Sequence, residues 1–228
     1  MCSPGYNSNM NADIFSTLAA AGGLAWASGI RLYAALFVAG LLGRLGYIQL
    51  PDTLAVLQHP FVLWASGLMF CVEFFADKIP ALDSLWDGVH TFIRIPAGAV
   101  LAATALGNYD PAVMVAAGIL GGTLAAGTHA AKAGSRALIN TSPEPLSNVI
   151  ASLSEEALVF GGLFAAFHHP MVFLAMLTVF VLLLIWLLPK LWRTVHSIFR
   201  RLAGRLPGKG TAAQTYLPPG EAGRIPPK

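Results

Sequence analysis

The chain has 228 residues, of which 56% are apolar and only 11% are charged, and its mean hydropathy is +0.65. Soluble domains carry about 25% charged residues, so this composition excludes an ordinary soluble enzyme. It also excludes intrinsic disorder over most of the length, because disordered chains combine low hydrophobicity with high net charge. The class that remains is an integral membrane protein with several spanning helices.

Six apolar stretches predict where the chain lies in the membrane. About 20 apolar residues span a bilayer core, and long runs without alternation exclude membrane strands. We therefore predict an all-α, polytopic transmembrane helix bundle with about six membrane segments, some of them discontinuous. The stretches cover residues 14–43, 54–76, 86–106, 111–131, 149–167 and 171–189.

The chain divides into four parts. A polar leader at 1–12 precedes the membrane domain at 13–189, and a basic juxtamembrane segment at 190–206 precedes a Gly- and Pro-rich tail at 207–228 that we expect to be disordered. Eight of the 14 basic residues follow residue 180. Basic residues directly after an apolar run favour a cytoplasmic C-terminus that contacts anionic lipids, rather than a nucleic-acid partner.

A first polar segment, residues 71–98, carries acidic and basic residues at helical spacing. Residues three or four apart share a helix face, so these side chains form stripes. We expect Pro80 and Pro96 to bracket the second stripe and to interrupt the helix. Asp83 and Asp87 are also candidate ligands for a divalent metal. The candidate site residues of this segment are Glu73, Asp77, Lys78, Asp83, Asp87, His90 and Arg94.

The surroundings of this segment suggest that its charges are inside the membrane domain. Ionisable groups at membrane depth cost about 2.5–3.5 kcal/mol each, so they are expected to face one another or a water-filled cavity. Glu73, Asp87 and Arg94 are the best candidates for burial because apolar residues surround them. The alternative is a short cytoplasmic loop at 77–87, in which the charges are solvated.

A second polar group lies at 127–156 and is richer in bases. His129, Lys132 and Arg136 have spacings of three and four, so they line one helix face. Such a face would pair well with the acidic segment inside a bundle, whereas the alternative is a cytoplasmic helical hairpin that only sets orientation. The next helix presents a similar face with Asn148, Ser152 and Glu155 or Glu156.

A third polar feature interrupts the first apolar stretch at Ser28-Gly29-Ile30-Arg31. An arginine at this position must find an anion, carbonyl oxygens or water. The interruption is consistent with a junction between two half-helices. Arg31 could pair with Glu73 or Asp77, or hold an anionic head group.

Small residues dominate the middle stretches, at 97–103 and at 118–127. Small faces let helices approach closely in lipid, so these residues predict a compact bundle but no chemistry. A faint similarity between 88–94 and 127–132 is consistent with an inverted repeat, an architecture found in many secondary transporters.

The polar motifs together resemble a known family. The chain is similar to the bacterial membrane family catalogued as domain of unknown function 4126 over roughly residues 14–185. This resemblance implies a polytopic protein of the bacterial inner (plasma) membrane and no particular activity. The motifs that carry it are Glu73-x3-Asp77-Lys78-Ile79-Pro80-x2-Asp83-x2-Trp86-Asp87, Arg94-x-Pro96-Ala97-Gly98, Ser28-Gly29-Ile30-Arg31, His129-x2-Lys132-Ala133-x2-Arg136 and Pro145-x2-Asn148-x3-Ser152-x2-Glu155.

Three functions fit this pattern. The leading hypothesis is a transporter or channel-like permease, in which carboxylates bind a cation or carry protons, bases counter them, and the partner is an unidentified small substrate or ion. The second is a membrane enzyme acting on a lipid phosphate, although nucleophile-elbow, zinc-protease and phosphate-loop signatures are absent and no cofactor is required. The third is a non-catalytic scaffold. A homo-oligomer is compatible with all three.

Overall fold

A computed structural model describes residues 5–139 and 145–203, which form six α-helices and one short 3-10 helix at Asp52–Gln58. No strand occurs in these residues, so the all-α class is confirmed. The expected disordered tail at 207–228 and the first four residues of the leader lie outside them. The α-helices are α1 (Gly5–Arg44), α2 (Pro60–Ala76), α3 (Pro80–Ala105), α4 (Pro111–Ile139), α5 (Pro145–His168) and α6 (Pro170–Ala203).

Five of the six α-helices begin with a proline. Proline suits the first helical position because its missing N–H would have no partner there and its φ angle is already helical. The connections are short: three residues join α2 to α3, and one residue joins α5 to α6. These prolines therefore divide one long apolar sequence into separate, closely spaced helices.

Helix α1 forms the centre of the bundle. It contacts each of the other five α-helices, and its apolar part is mostly buried inside the protein. Helix α6 is the opposite case, since nearly all of its apolar segment is exposed. In a membrane, α6 would therefore face mainly lipid, whereas α1 would face mainly protein.

Within the described part of the chain, four helices are long and apolar enough to cross a membrane: Ile14–Arg44, Pro111–Ile139, Leu146–His168 and Pro170–Leu187. A fifth span results if the 3-10 helix and α2, which meet at 65°, are counted as one broken segment. Helix α3 is not among them, because its first half is polar. The protein is therefore consistent with a helical membrane bundle, and the count of about six segments stays a prediction.

Helix α3 departs from the expectation that Pro96 interrupts it. The helix runs from Pro80 to Ala105 without a break. A proline inside a helix removes one hydrogen bond and crowds the preceding turn. Close packing against α4 on both sides of Pro96 holds the helix together, since Ile95, Gly98 and Ala99 all lie against α4. The predicted interruption is therefore wrong, although Pro80 does begin the helix as expected.

Three helices cross where their side chains are smallest. A Cβ atom added to Gly29 of α1 would lie 2.5 Å from the Ala125 carbonyl oxygen, and one added to Gly98 of α3 would lie 2.5 Å from the Ala125 Cβ. A Cβ atom on Gly121 would overlap Ala102. The predicted close helix packing is confirmed here, and Gly29, Gly98, Gly121 and Ala125 are called the small-residue crossing below.

Candidate functional site

The candidate site begins at a break in the central helix. Arg31 has φ −147° and ψ 91°, which is extended backbone in the middle of α1. This break confirms the predicted junction of two half-helices. The carbonyl oxygen of Ile30, at the break, accepts a hydrogen bond from the Lys132 Nζ at 3.2 Å. A side chain from α4 therefore partners a backbone group next to the interruption in α1.

The Arg31 guanidinium is fully buried, and carboxylates from the α2–α3 connection and from α5 neutralise it. Its Nη2 lies 2.6 Å from the Asp77 Oδ2, directly after α2. On α5, the same atom donates to the Ser152 Oγ at 2.8 Å and contacts the Glu155 Oε2 at 3.3 Å. Of the partners left open by the sequence, Arg31 therefore takes Asp77 rather than Glu73.

A second guanidinium, that of Arg94 on α3, is the centre of the other half of the site. It pairs with the Glu73 carboxylate on α2 and with the Asp87 Oδ1 at 2.7 Å. Its Nη1 also lies 3.1 Å from the Nδ1 of His129. A guanidinium can only donate, so Nδ1 accepts and His129 is neutral with its proton on Nε2. That proton is directed at the Thr91 Oγ1, 2.7 Å away.

Two bases on α4 join these halves into one network. The Lys132 Nζ lies 3.4 Å from carboxylate oxygens of Asp77, Asp87 and Glu155. One helical turn further, the Arg136 Nε donates to the Glu155 Oε1 at 2.8 Å. Arg136 also contacts the Asn148 Oδ1 at 3.3 Å. Because Lys132 touches carboxylates from both halves, the acidic and basic segments form one structure.

This network is called the ion-pair cluster. Each of its members is buried or nearly so, and they come from helices α1 to α5 or from the residue directly after α2. The predicted meeting of the acidic and basic segments inside the bundle is confirmed, and the alternatives of a solvated loop and a solvated hairpin are wrong for these residues. Their role in binding stays a prediction. The members are Arg31, Glu73, Asp77, Asp87, Arg94, Lys132, Arg136, Glu155 and Glu156.

Two predicted site residues lie outside the cluster's pairings. His90 is buried, but its Nδ1 donates to the Trp86 carbonyl at 2.9 Å and its Nε2 lies 3.2 Å from the Tyr33 hydroxyl. Lys78 is half-buried at the rim, with its Nζ over the Phe74 ring and 3.0 Å from the Phe74 carbonyl. Burial lowers the pKa of the Lys78 ammonium, against the opposite effect of the Glu156 carboxylate.

The metal-site hypothesis gains no support from the described side chains. The Asp83 side chain lies outside them, and Asp87 is engaged by Arg94 and Lys132. No group of three or more histidine, cysteine, aspartate or glutamate side chains within the described part of the chain is placed to hold a metal ion. The Asp83–Asp87 metal site stays a prediction.

Sequence reasoning missed some of the residues that complete the cluster. The Thr91 hydroxyl accepts a hydrogen bond from the His129 Nε2 and donates one to the Asp87 carbonyl at 2.8 Å. Its position, four residues after Asp87 and three before Arg94, places it on the same helix face and was the available signal. Glu156 was an open alternative to Glu155, but both carboxylates reach Arg31. No pattern in the sequence points to the contact of Tyr33 with His90.

The fold and the cluster define a class: an all-helical protein of membrane type with an ion-pair network inside its bundle. Within that class, the chain belongs to the family described as Domain of unknown function (DUF4126), whose model matches residues 18–190. The matched range contains the break in α1 and every member of the ion-pair cluster. No curated protein and no solved structure matches the chain.

Proposed function

We propose that this protein is a transporter or channel-like permease in which the ion-pair cluster handles a small ion or solute. The observation that carries the proposal is the clustering of nine charged side chains, each buried or nearly so, from five helices and the residue directly after α2. Ionisable residues inside membrane helices commonly mark substrate pathways and proton relays. A bundle of this size does not need such a network for stability, because apolar side chains of similar volume often stabilise as well or better.

The ion-pair cluster lies closer to one end of the bundle than to the other, and this position supports the proposal of a carrier. Asp77 lies in the α2–α3 connection, and Lys132 is seven residues, or about 10 Å, from the end of α4 at Ile139. Beyond Arg31, the small-residue crossing brings α1, α3 and α4 into contact. A substrate held at the cluster could leave past the small-residue crossing only if these three helices separated. The break in α1 supplies a place for such a rearrangement.

The test measures flux in reconstituted vesicles. Purified protein in liposomes loaded with a pH-sensitive dye is exposed to gradients of protons, alkali cations and small anions, and is compared with protein-free liposomes. We expect a flux that Glu73→Gln and Asp87→Asn reduce at least tenfold, and that the exposed variant Arg193→Gln does not change. A wild-type flux equal to that of protein-free liposomes across this screen would count against transport.

A scaffold is the second candidate, because each of the four buried bases of the cluster already contacts a carboxylate. Such pairs can fix the register of the helices without transporting a substrate. A double-mutant cycle between Glu73→Gln and Arg94→Gln distinguishes the two roles. A scaffold gives a coupling of about 0.5–3 kcal/mol in stability and no flux, whereas a carrier gives both. Because every base of the cluster already contacts a carboxylate, none is available to bind phosphate, and an enzyme acting on a lipid phosphate is less well supported.

A further inference from the structure

The ion-pair cluster contains more acids than bases. Among the described side chains it has five carboxylates and four bases. His129 does not compensate, because its Nδ1 accepts from Arg94 and the ring is neutral. Lys78 lies at the rim and its charge acts on Glu156, but its Nζ is directed at Phe74 and forms no ion pair within 4 Å among the described residues. An uncompensated charge in a buried site is expensive, and a carboxylate in this position normally takes up a proton instead.

The five carboxylates are not equally well paired. Asp77, Asp87 and Glu155 each have a basic nitrogen within 2.6–2.8 Å, and Glu73 is held by Arg94 at short range. Glu156 differs: its described ion pair, to the Arg31 Nη1, is 3.6 Å long. That distance is too long for a hydrogen bond, and the buried Oε1 of Glu156 has no hydrogen-bond partner among the described residues.

Protonation of Glu156 therefore disturbs the network least. Protonating another carboxylate of the cluster would weaken at least one charge-assisted contact, which is stronger than a neutral hydrogen bond. Arg31 remains neutralised by Asp77 when Glu156 is neutral. The charged groups that act on Glu156 are Arg31 from α1, Asp77 and Lys78 from the α2–α3 connection, and Glu155 from its own helix. Three of these four groups have contacts of their own within the cluster.

We infer that the ion-pair cluster holds one exchangeable proton and that the Glu156 carboxyl carries it. The step is the transfer of a proton from water to the carboxylate, with no other bond formed or broken. The Glu156 side chain is 12% exposed, so it lies at the edge of the cluster where such an exchange can occur. The inference deepens the proposed function and, as a coupling step, rests on it, because this proton would be the ion that the carrier couples to.

Infrared difference spectroscopy on the full chain in nanodiscs tests the inference without a transport assay. During a pH titration, we expect the wild type to show the C=O stretching band of a protonated buried carboxyl group, which disappears as the pH is raised. Glu156→Gln should remove this band. Glu156→Asp should shift its frequency or its titration midpoint, whereas Glu155→Asp, the matched change one residue earlier, should leave the frequency unchanged.

Other outcomes overturn the inference. If the band is absent in the wild type, the excess negative charge is not balanced by a proton, and sodium-dependent changes in the carboxylate bands would then assign the role to a bound cation. If the band persists in Glu156→Gln, or shifts in Glu155→Asp and not in Glu156→Asp, another carboxyl carries the proton. A band that behaves as expected in a protein without flux would leave the inference standing and count against transport.

Discussion

The ion-pair cluster and the small-residue crossing are neighbours on the same helices, but different kinds of interaction stabilise them. In the cluster, charged groups from α1 to α5 pair with one another and Arg31 lies 2.6 Å from Asp77, whereas two residues before Arg31, at Gly29, α1 and α4 meet through backbone and methyl groups. In lipid, helices gain little from hydrophobic burial against each other, so close packing and polar contacts are the two means of association. The two means of association are therefore used within two residues of each other on α1.

The two regions also differ in what can be changed. The cluster depends on the identity and number of its charges, so removing one member leaves others unpaired. The crossing depends on volume, so adding a single methyl group disturbs it. Substitutions that separate charge from volume therefore distinguish the two regions.

The largest effect is expected from Arg94→Met, which preserves much of the side-chain volume and removes the charge. Glu73 and Asp87 lose their shortest basic partner and His129 loses the donor to Nδ1. Breaking a buried ion pair from one side costs about 3–5 kcal/mol. Thermal or denaturant unfolding in detergent measures the loss, with Arg193→Met on exposed α6 as the control. Equal stability of the two variants would show that the cluster does not hold the bundle together.

A smaller effect is expected at the crossing from Gly98→Ala. The new methyl group would lie 2.5 Å from the Ala125 Cβ and 2.6 Å from the Ser28 Oγ, so α3 and α4 must move apart. Overpacking of this kind costs about 1–3 kcal/mol.

Gly88→Ala, on the same helix, is the control for that substitution. No atom lies within 4 Å of a Cβ at Gly88, so the change should be neutral or stabilising by up to about 1 kcal/mol, as glycine-to-alanine changes in helices are. If Gly98→Ala and Gly88→Ala had the same melting temperature, the crossing would not be tightly packed.

The smallest effect is expected from Glu156→Gln. Its ion pair with Arg31 is 3.6 Å long at the edge of the cluster, so we expect a loss of at most about 1 kcal/mol. Glu155→Gln removes the charge that strengthens the 2.8 Å hydrogen bond from Arg136 and should cost about 1.5–3 kcal/mol. Unfolding of both variants under one condition gives the comparison. If Glu156→Gln were the more damaging of the two, Glu156 would be a structural ion-pair partner rather than the weakly held acid.

Much of the local structure can be predicted from the sequence. The spacing of His129, Lys132 and Arg136 places them on one face because an α-helix repeats every 3.6 residues. The polar interruption at residues 28–31 predicts the break in α1, which lies at Arg31. The predicted tail and the metal-site hypothesis at Asp83 stay untested, because those residues or side chains lie outside the described part of the chain.

The sequence by itself determined the membrane class, the helical character and the stripes of charge, since these depend on composition and on residues within one or two turns of each other. Only the tertiary structure decided that Arg31 pairs with Asp77, that His90 is engaged by Trp86 and Tyr33, and that α3 continues through Pro96. It alone left Glu156 as the carboxylate with the weakest pairing. The physical reason is that pairing depends on how closely and at what register the helices cross, and contacts between distant segments set both.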